Sequence, residues 1–176
     1  DAAQAFGSGT HPTTQGCMYL LGRLRRLRRT PRTVLDMGCG SAILAMAAKR
    51  QFPAARIVAA DSDPLSVTAS AQNARMNKFA RNGFDVVKSA GFGHPLCRTS
   101  APYDLIFANI LAPPLRRMAS DLTSYLSPSG NLILSGLLDW QADDIISRYR
   151  HFGMRLTEQY IIGGWSALML NKRRLG

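Results

Sequence analysis

Two acids and two glycines define the chemistry that this chain offers. The apolar pair Val34-Leu35 leads into Asp36 and Met37, and Gly38 and Gly40 then flank Cys39 before a helical pattern begins. That order predicts a strand, a tight turn and a helix N-terminus. Glycine backbone lets a ligand approach closely there, and the first turn of a helix offers N–H groups. A second acid, Asp61, ends the next apolar run, Ile57-Val58-Ala59-Ala60. It follows the glycines by about the 20 residues at which an acid reads a ribose in a nucleotide-binding βαβ unit. The pattern predicts a site for an adenosine-containing cofactor.

Three further residues belong to the same reading. Asn109 ends an apolar run, Asp104 to Ala108, where an open parallel sheet presents its ligand crevice. Its side-chain oxygen and the carbonyls after it can accept N–H bonds from an incoming amine; the alternative is an Asn that caps the next turn. Thr14 lies at or just inside a helix start, with a hydroxyl and amides suited to a carboxylate, and Thr13 is the rival N-cap. His11 is assigned a structural or loop-closing role rather than that of a base. Cys39 is read as a small residue filling its turn, the alternative being a reactive thiol.

These residues need a frame to hold them. A glycine-rich opening, Ala5 to Thr14, precedes a helix with an apolar stripe at Leu20, Leu21, Leu24 and Leu27, which Thr30-Pro31 ends. Strands are predicted at Thr33 to Met37, Arg56 to Ala60, Phe84 to Val87, Asp104 to Ala108 and Asn131 to Ser135. Helices are predicted at Ile43 to Phe52, from Asp63-Pro64 to about Asn77, from Pro113-Pro114 to near Tyr125, and at Gln141 to His151. Asp63 is the expected N-cap of the second of these, with Pro64 in its first turn. Gly91 to Ala101 is expected to be a loop and Ser127 to Gly130 a turn. Met154 to Ile162 and Trp165 to Leu170, joined by Gly163-Gly164, read as a hairpin. The sum is a mostly parallel sheet, helices on both faces, and one antiparallel pair at the end.

Composition narrows the class. At 176 residues and 46% hydrophobic, the chain fits one packed domain, 1–176. No apolar run approaches the roughly 20 residues of a membrane span, so no membrane partner is expected. The three cysteines, Cys17, Cys39 and Cys97, lack metal-ligand spacing; no metal site is expected, and a reducing, cytoplasmic setting is. The net charge of +11 favours RNA or other acidic partners. It is concentrated in Arg23, Arg25, Arg26, Arg28, Arg29 and Arg32, and again at Arg173 and Arg174. Two readings stay open for that run: a solvated helix face in an arginine-preferring sequence, or a surface that meets a ribonucleoprotein. No aromatics interleave with it as a single-strand stacking platform would need.

Two nucleotide users share this architecture. A dinucleotide dehydrogenase wants a third glycine and a second mononucleotide half. Here Gly38-Cys39-Gly40-Ser41-Ala42 lacks the glycine, and a hairpin stands where another βαβ unit belongs. Both favour an S-adenosylmethionine-dependent methyltransferase.

Three segments, AFGSGTHPTT at 5–14, LDMGCGSAILA at 35–45 and ANILAPPL at 108–115, resemble the bacterial methyltransferases of ribosomal protein eleven of the large subunit, the PrmA family. Asp61 to Leu65 and Leu134 to Leu138 add to the resemblance, which covers essentially the whole chain. It implies a class I methyltransferase fold, α/β and Rossmann-like, with a seven-stranded sheet whose terminal pair includes the antiparallel strand. It implies S-adenosylmethionine as methyl donor, and a protein substrate methylated on lysine side chains and a terminal amine. Thr14, Gly38, Asp61 and Asn109 match the cofactor-contacting places, with Gly40 in the same turn; Phe6 and Gly7 match the loop that closes over the cofactor. Asn109 is also the residue expected to align the amine. Asp36 is given two roles, a water-mediated contact to the cofactor's ammonium or a structural acid bonding the turn's amides.

The chain departs from the family at three places. Ala42 stands where a glycine is usual, and its methyl is expected to tighten helix–strand packing. Gly163-Gly164 replace acids before Trp165. The family's N-terminal substrate-capturing domain is expected to be absent from this chain. The substrate is expected to be the ribosomal protein, with contact to ribosomal RNA as a further partner; an RNA or nucleobase N-methyltransferase and a non-catalytic cofactor-binding module are the alternatives. An apolar slot near Ile110, Leu111 and Trp165 is expected to help deprotonate a lysine.

Overall fold

The computed structural model describes residues 9–79 and 83–172. Its elements, in chain order, are α1 Pro12–Arg26, β1 Thr33–Met37, α2 Ile43–Gln51, β2 Arg56–Asp61, α3 Pro64–Met76, β3 Asp85–Lys88 and α4 Pro95–Thr99. Then follow β4 Tyr103–Asn109, α5 Ala112–Arg117, α6 Ala119–Ser124, β5 Leu126–Leu138, a 3-10 turn at Asp139–Gln141, α7 Ala142–Arg150, β6 Met154–Ile162 and β7 Trp165–Lys172. The strands form one seven-stranded sheet in the order β3-β2-β1-β4-β5-β7-β6. β1 to β5 pair in parallel, and β7 runs antiparallel between β5 and β6. This is the expected α/β architecture.

The central strands read as unbroken apolar runs because both of their faces are covered. Val34, Ile57, Ala59, Leu105, Phe107 and Ile133 face the layer built by α1 and α2. Their neighbours Leu35, Val58, Ala60, Ile106, Ala108, Leu132 and Leu134 face the opposite layer, built mainly by α5, α6 and α7. The two-residue period of a strand thus divides one sequence between two cores. The strand order reverses between β1 and β4, and the crevice of such a sheet opens at that point, beyond the strands' carboxyl ends.

Several local expectations are corrected. Gly91 to Ala101 is not all loop: His94 caps the short α4, its Nδ1 accepting from Leu96 N at 3.2 Å. The helix after Pro113-Pro114 is two helices that meet at Met118. Ser127 to Gly130 lies within β5 but still turns as expected: Leu126 pairs with Tyr103 and Asn131 with Leu105, and a Cβ on Gly130 would lie 2.7 Å from Leu126 Cγ. Neither Thr13 nor Thr14 caps α1; His11 does, with Pro12 in the first turn, its Nδ1 accepting from Thr13 N at 3.3 Å. Leu27 leaves the apolar stripe and is 52% exposed.

Candidate functional site

A cleft of about 880 Å³ opens at the carboxyl ends of β1 to β4, within the roughly 300–1,000 Å³ of small-molecule sites. Gly38, Gly40, Asp61 and Asn109 all line it. Thr14 does not: it is fully buried, with Oγ1 3.5 Å from the Asn109 amide nitrogen. Thr14 therefore stands behind Asn109. Phe6 and Gly7 lie outside the described residues.

The turn after β1 is tied down on every side. Gly38 N and Cys39 N both donate to Ala60 O, at 2.7 and 3.1 Å, and Gly40 N donates to Asp61 Oδ2 at 2.9 Å. Ser70 on α3 donates to Gly40 O at 2.7 Å, and Asn73 on the same helix donates to Ser41 O at 3.1 Å. The amides of Gly38, Cys39 and Gly40, which precede α2, are thus engaged within the protein. The turn instead offers bare backbone: a Cβ on Gly40 would meet nothing within 4 Å. Ala42, fully buried at φ 59, holds the left-handed conformation that favours glycine. Its methyl is packed as expected, but on a backbone less easily adopted by alanine.

The acids divide their work. Asp63 caps α3, accepting from Leu65 N and Ser66 N at 3.1 Å each. Those bonds, the Leu65 amide first, hold its carboxyl below the usual carboxylate range. Asp61 is thereby spared the capping role and stays half-buried at the cleft. Its Oδ1 accepts from Asp63 N at 3.0 Å and its Oδ2 from Gly40 N, so each oxygen keeps a lone pair for a ligand. Asp36 is 1% exposed and accepts from Ala45 N at 2.9 Å, which joins β1 to α2 as a structural acid would. Burial pushes its carboxyl up to about 7, with the Ala45 amide opposing and the Asp61 charge adding. Burial, and secondarily the Asp36 charge, also raises the Cys39 thiol, whose sulfur lies 3.4 Å from Ser70 Oγ. Cys39 fills space in its turn and is not an activated nucleophile.

Asn109 is the exception to a well-satisfied site. Its residue is 8% exposed, its amide nitrogen reaches Thr14, and its Oδ1 is buried without a hydrogen-bond partner. Buried carbonyl oxygens are rarely left so. Ile110 and Leu111 line the cleft beside it. Trp165, expected in the same apolar slot, packs edge-on against His11 at 5.1 Å instead and is not among the lining residues.

Sequence reasoning did not pick out Ser89, Ala90 and Gly91, which line the cleft just beyond β3. Ser89 holds this corner, donating to Gly91 O at 2.6 Å and accepting from His94 N at 3.0 Å. Their residue types carry no signal. Their position after a parallel strand, next to the one that ends in Asp61, does.

Comparison with known proteins agrees with the fold. The family model described as "Ribosomal protein L11 methyltransferase (PrmA)" matches residues 1–173. Proteins named ribosomal protein L11 methyltransferase from Bradyrhizobium diazoefficiens and Rhodopseudomonas palustris are 42% and 43% identical to the chain over 172 residues. The match covers 98% of this chain and 57% of each relative, so the chain spans little more than half their length. A crystal structure of a ribosomal protein L11 methylase from Lactobacillus delbrueckii superposes with a TM-score of 0.81 at 30% identity, over 94% of this chain and 81% of that one. The N-methyltransferase NodS of Bradyrhizobium japonicum, solved with S-adenosyl-L-homocysteine, shares the fold with a TM-score of 0.70 at 14% identity, over 93% of this chain and 89% of its own.

Proposed function

The chain belongs to the ribosomal protein L11 methyltransferase (PrmA) family, and on that premise we propose that it transfers methyl groups from S-adenosylmethionine to amino nitrogens of a ribosomal protein. The observation that carries this reading is the unpaired, buried Asn109 Oδ1 at the end of β4. An amine is a hydrogen-bond donor, and a fixed acceptor at the crevice can take one of its N–H bonds. That contact turns the nitrogen lone pair toward the donor methyl.

The cleft has the features that the cofactor needs. Asp61 keeps two lone pairs for ribose hydroxyls, each charge-assisted bond contributing about 1.5–3 kcal/mol. Gly40 leaves open space where a side chain would obstruct a ligand. The Ser89–Gly91 corner closes the end beyond Asp61. When bound, the sulfonium supplies an already activated methyl group. The chain's own residues hold, align and exclude water.

The target amine must be neutral to attack. At pH 7 that costs about 4–5 kcal/mol for a lysine of ordinary pKa, and about 1–1.4 kcal/mol for a terminal amine. Ile110 and Leu111 give the cleft an apolar wall that desolvates an entering ammonium and eases its deprotonation.

The whole relatives are longer than this chain, so the substrate assignment is tested on both the chain and the full-length protein. Radiolabelled donor is offered with ribosomal proteins and, separately, with ribosomal RNA. Label in one protein of the large subunit supports the reading. Label in RNA replaces it with RNA methylation, and cofactor binding without transfer by the full-length protein makes this a binding module. Contact with ribosomal RNA as a further partner draws its support from the charge, which lies mainly away from the cleft. No described helix is long and apolar enough to cross a membrane.

A further inference from the structure

The edge where the parallel strands begin, opposite the cleft, carries a second hollow, of about 490 Å³. Arg25, Arg28, Arg29 and Arg32 line it, all exposed, with buried Phe52 among its other walls. Arg25 is in the last turn of α1, and the other three lie in the link from α1 to β1. Among the described residues none of these guanidiniums is ion-paired; the two ion pairs found are Arg23–Glu158 and Arg116–Asp144. Among the described residues one carboxylate touches the stretch, that of Asp104. It accepts from Arg32 N at 2.8 Å, Thr33 N at 3.4 Å and Ser127 Oγ at 3.2 Å, so it braces backbone rather than a guanidinium.

Support of the helix dipole does not account for this cluster. A helix carboxyl end presents roughly half a negative charge, and its effect fades within the last turn. Arg28, Arg29 and Arg32 lie past that turn. Arg28 also takes φ 53 just after the helix. Arg28 N donates to Arg25 O and Arg29 N to Leu24 O, both at 3.0 Å, which closes α1 in the manner that normally calls for glycine. An arginine here bears a conformational cost that glycine would avoid, and it sets consecutive guanidiniums at the rim of the hollow.

We infer that this hollow binds the phosphodiester backbone of structured RNA. Guanidinium forks match phosphate oxygens two at a time. Among the described residues the hollow offers no exposed aromatic on which bases can stack, which favours a duplex over a single strand as its ligand. It would grip phosphates without reading sequence. Arginines spread from the end of α1 along the link to the start of β1 suit a repeating line of charge better than one carboxylate. The site faces away from Asn109, so RNA held here leaves the cleft open to a protein chain. This inference rests on the proposed substrate only for the identity of the RNA, that of a ribosomal particle.

The test is fluorescence anisotropy of a labelled RNA hairpin, titrated with the chain at several salt concentrations. The variant changes Arg25, Arg28, Arg29 and Arg32 to Gln, and S-adenosylhomocysteine binding by calorimetry reports its folding. Expected are a loss of RNA affinity of about tenfold or more, and a salt slope shallower by roughly 0.7–0.9 for each phosphate contact removed. Cofactor binding stays as in the unaltered chain. Unchanged RNA affinity in the variant overturns the inference, as does equally tight binding of polyglutamate to the unaltered chain. Failure to bind S-adenosylhomocysteine by an unaltered chain that binds RNA would count against the methyltransferase reading alone.

Discussion

Gly136 and Ile110 meet backbone to backbone, with no room for a side chain between them. A Cβ on Gly136 would lie 2.6 Å from Ile110 C and 2.9 Å from Ile110 N, and would overlap Ile110 O. The Ile110 side chain presses the other way, where a Cβ on Gly38 would overlap its Cγ2. Ile110 N also donates to Ser135 O at 3.1 Å. The residue after Asn109 is therefore clamped between the ends of β1 and β5, and this clamp sets where Asn109 points. Gly136→Ala is expected to cost on the order of 2–4 kcal/mol by denaturant unfolding, because backbone cannot yield as a side chain can. Methyl transfer should fall further than cofactor affinity. Gly38→Ala meets the Ile110 Cγ2 methyl rather than backbone but puts alanine at φ 70, so it too should destabilise, by somewhat less.

Asn109 and Thr14 form a pair that can be tested without emptying the site. Asn109→Ala removes the unpaired acceptor, and transfer should drop by about 10²–10³-fold, the scale of losing one fixed hydrogen-bonding group at a reacting centre. The affinity for S-adenosylhomocysteine should change far less. Thr14→Val strips the amide nitrogen of the partner that orients it, and a loss of about tenfold is expected. Thr14→Ser should restore most of it. Equal losses of transfer and cofactor affinity in Asn109→Ala would move its role from the amine to the cofactor.

Asp61 makes a narrower prediction. Asp61→Ala removes both proposed ribose acceptors and the partner of Gly40 N. Cofactor affinity by calorimetry should weaken by at least about tenfold, from the ~1.5–3 kcal/mol of each charge-assisted bond. Asp63→Ala, which removes the cap of α3, should cost about 1 kcal/mol of stability and leave affinity nearly intact. Unchanged affinity in Asp61→Ala would take the residue out of the site.

The pattern of strands was legible because the central parallel strands bury both faces, and an apolar run of five or six residues has few other uses. The terminal hairpin was legible because Gly163 and Gly164 supply the positive φ that its turn requires. His11-Pro12 and His94-Pro95 were harder. Both histidines cap helices through Nδ1, yet histidine is not among the usual N-cap residues, so α4 looked like loop. β5 hid its start because Ser127-Pro128-Ser129-Gly130 carries the residue types of a turn and does bulge out of the ladder, while Leu126 before it already pairs with Tyr103 and accepts from Lys172 Nζ. Within the site, the acids and glycines announced themselves by type. The Ser89–Gly91 corner and the Ile110 clamp depend on which strand ends become neighbours, and one chain read in order does not display that.

Asp36 ties stability to pH, and its sign follows from burial. Its folded pKa of about 7 lies well above that of an exposed aspartate, chiefly because the buried carboxylate has lost its water. Between about pH 4 and 7 the folded chain keeps a proton that the unfolded chain has released. The stabilising contribution is complete below about pH 4 and disappears as pH rises through 7. Stability should thus decline between pH 5 and 8 by an amount on the order of 2–4 kcal/mol, unlike the usual carboxylate that stabilises as it ionises. Asp36→Asn keeps an acceptor for Ala45 N and cannot ionise, so its denaturation midpoints should be nearly flat over that interval. Urea unfolding at pH 5, 6, 7 and 8 for both chains measures the difference. If the unaltered chain gains stability toward pH 8, Asp36 is already ionised in the folded state and the Ala45 amide outweighs its burial.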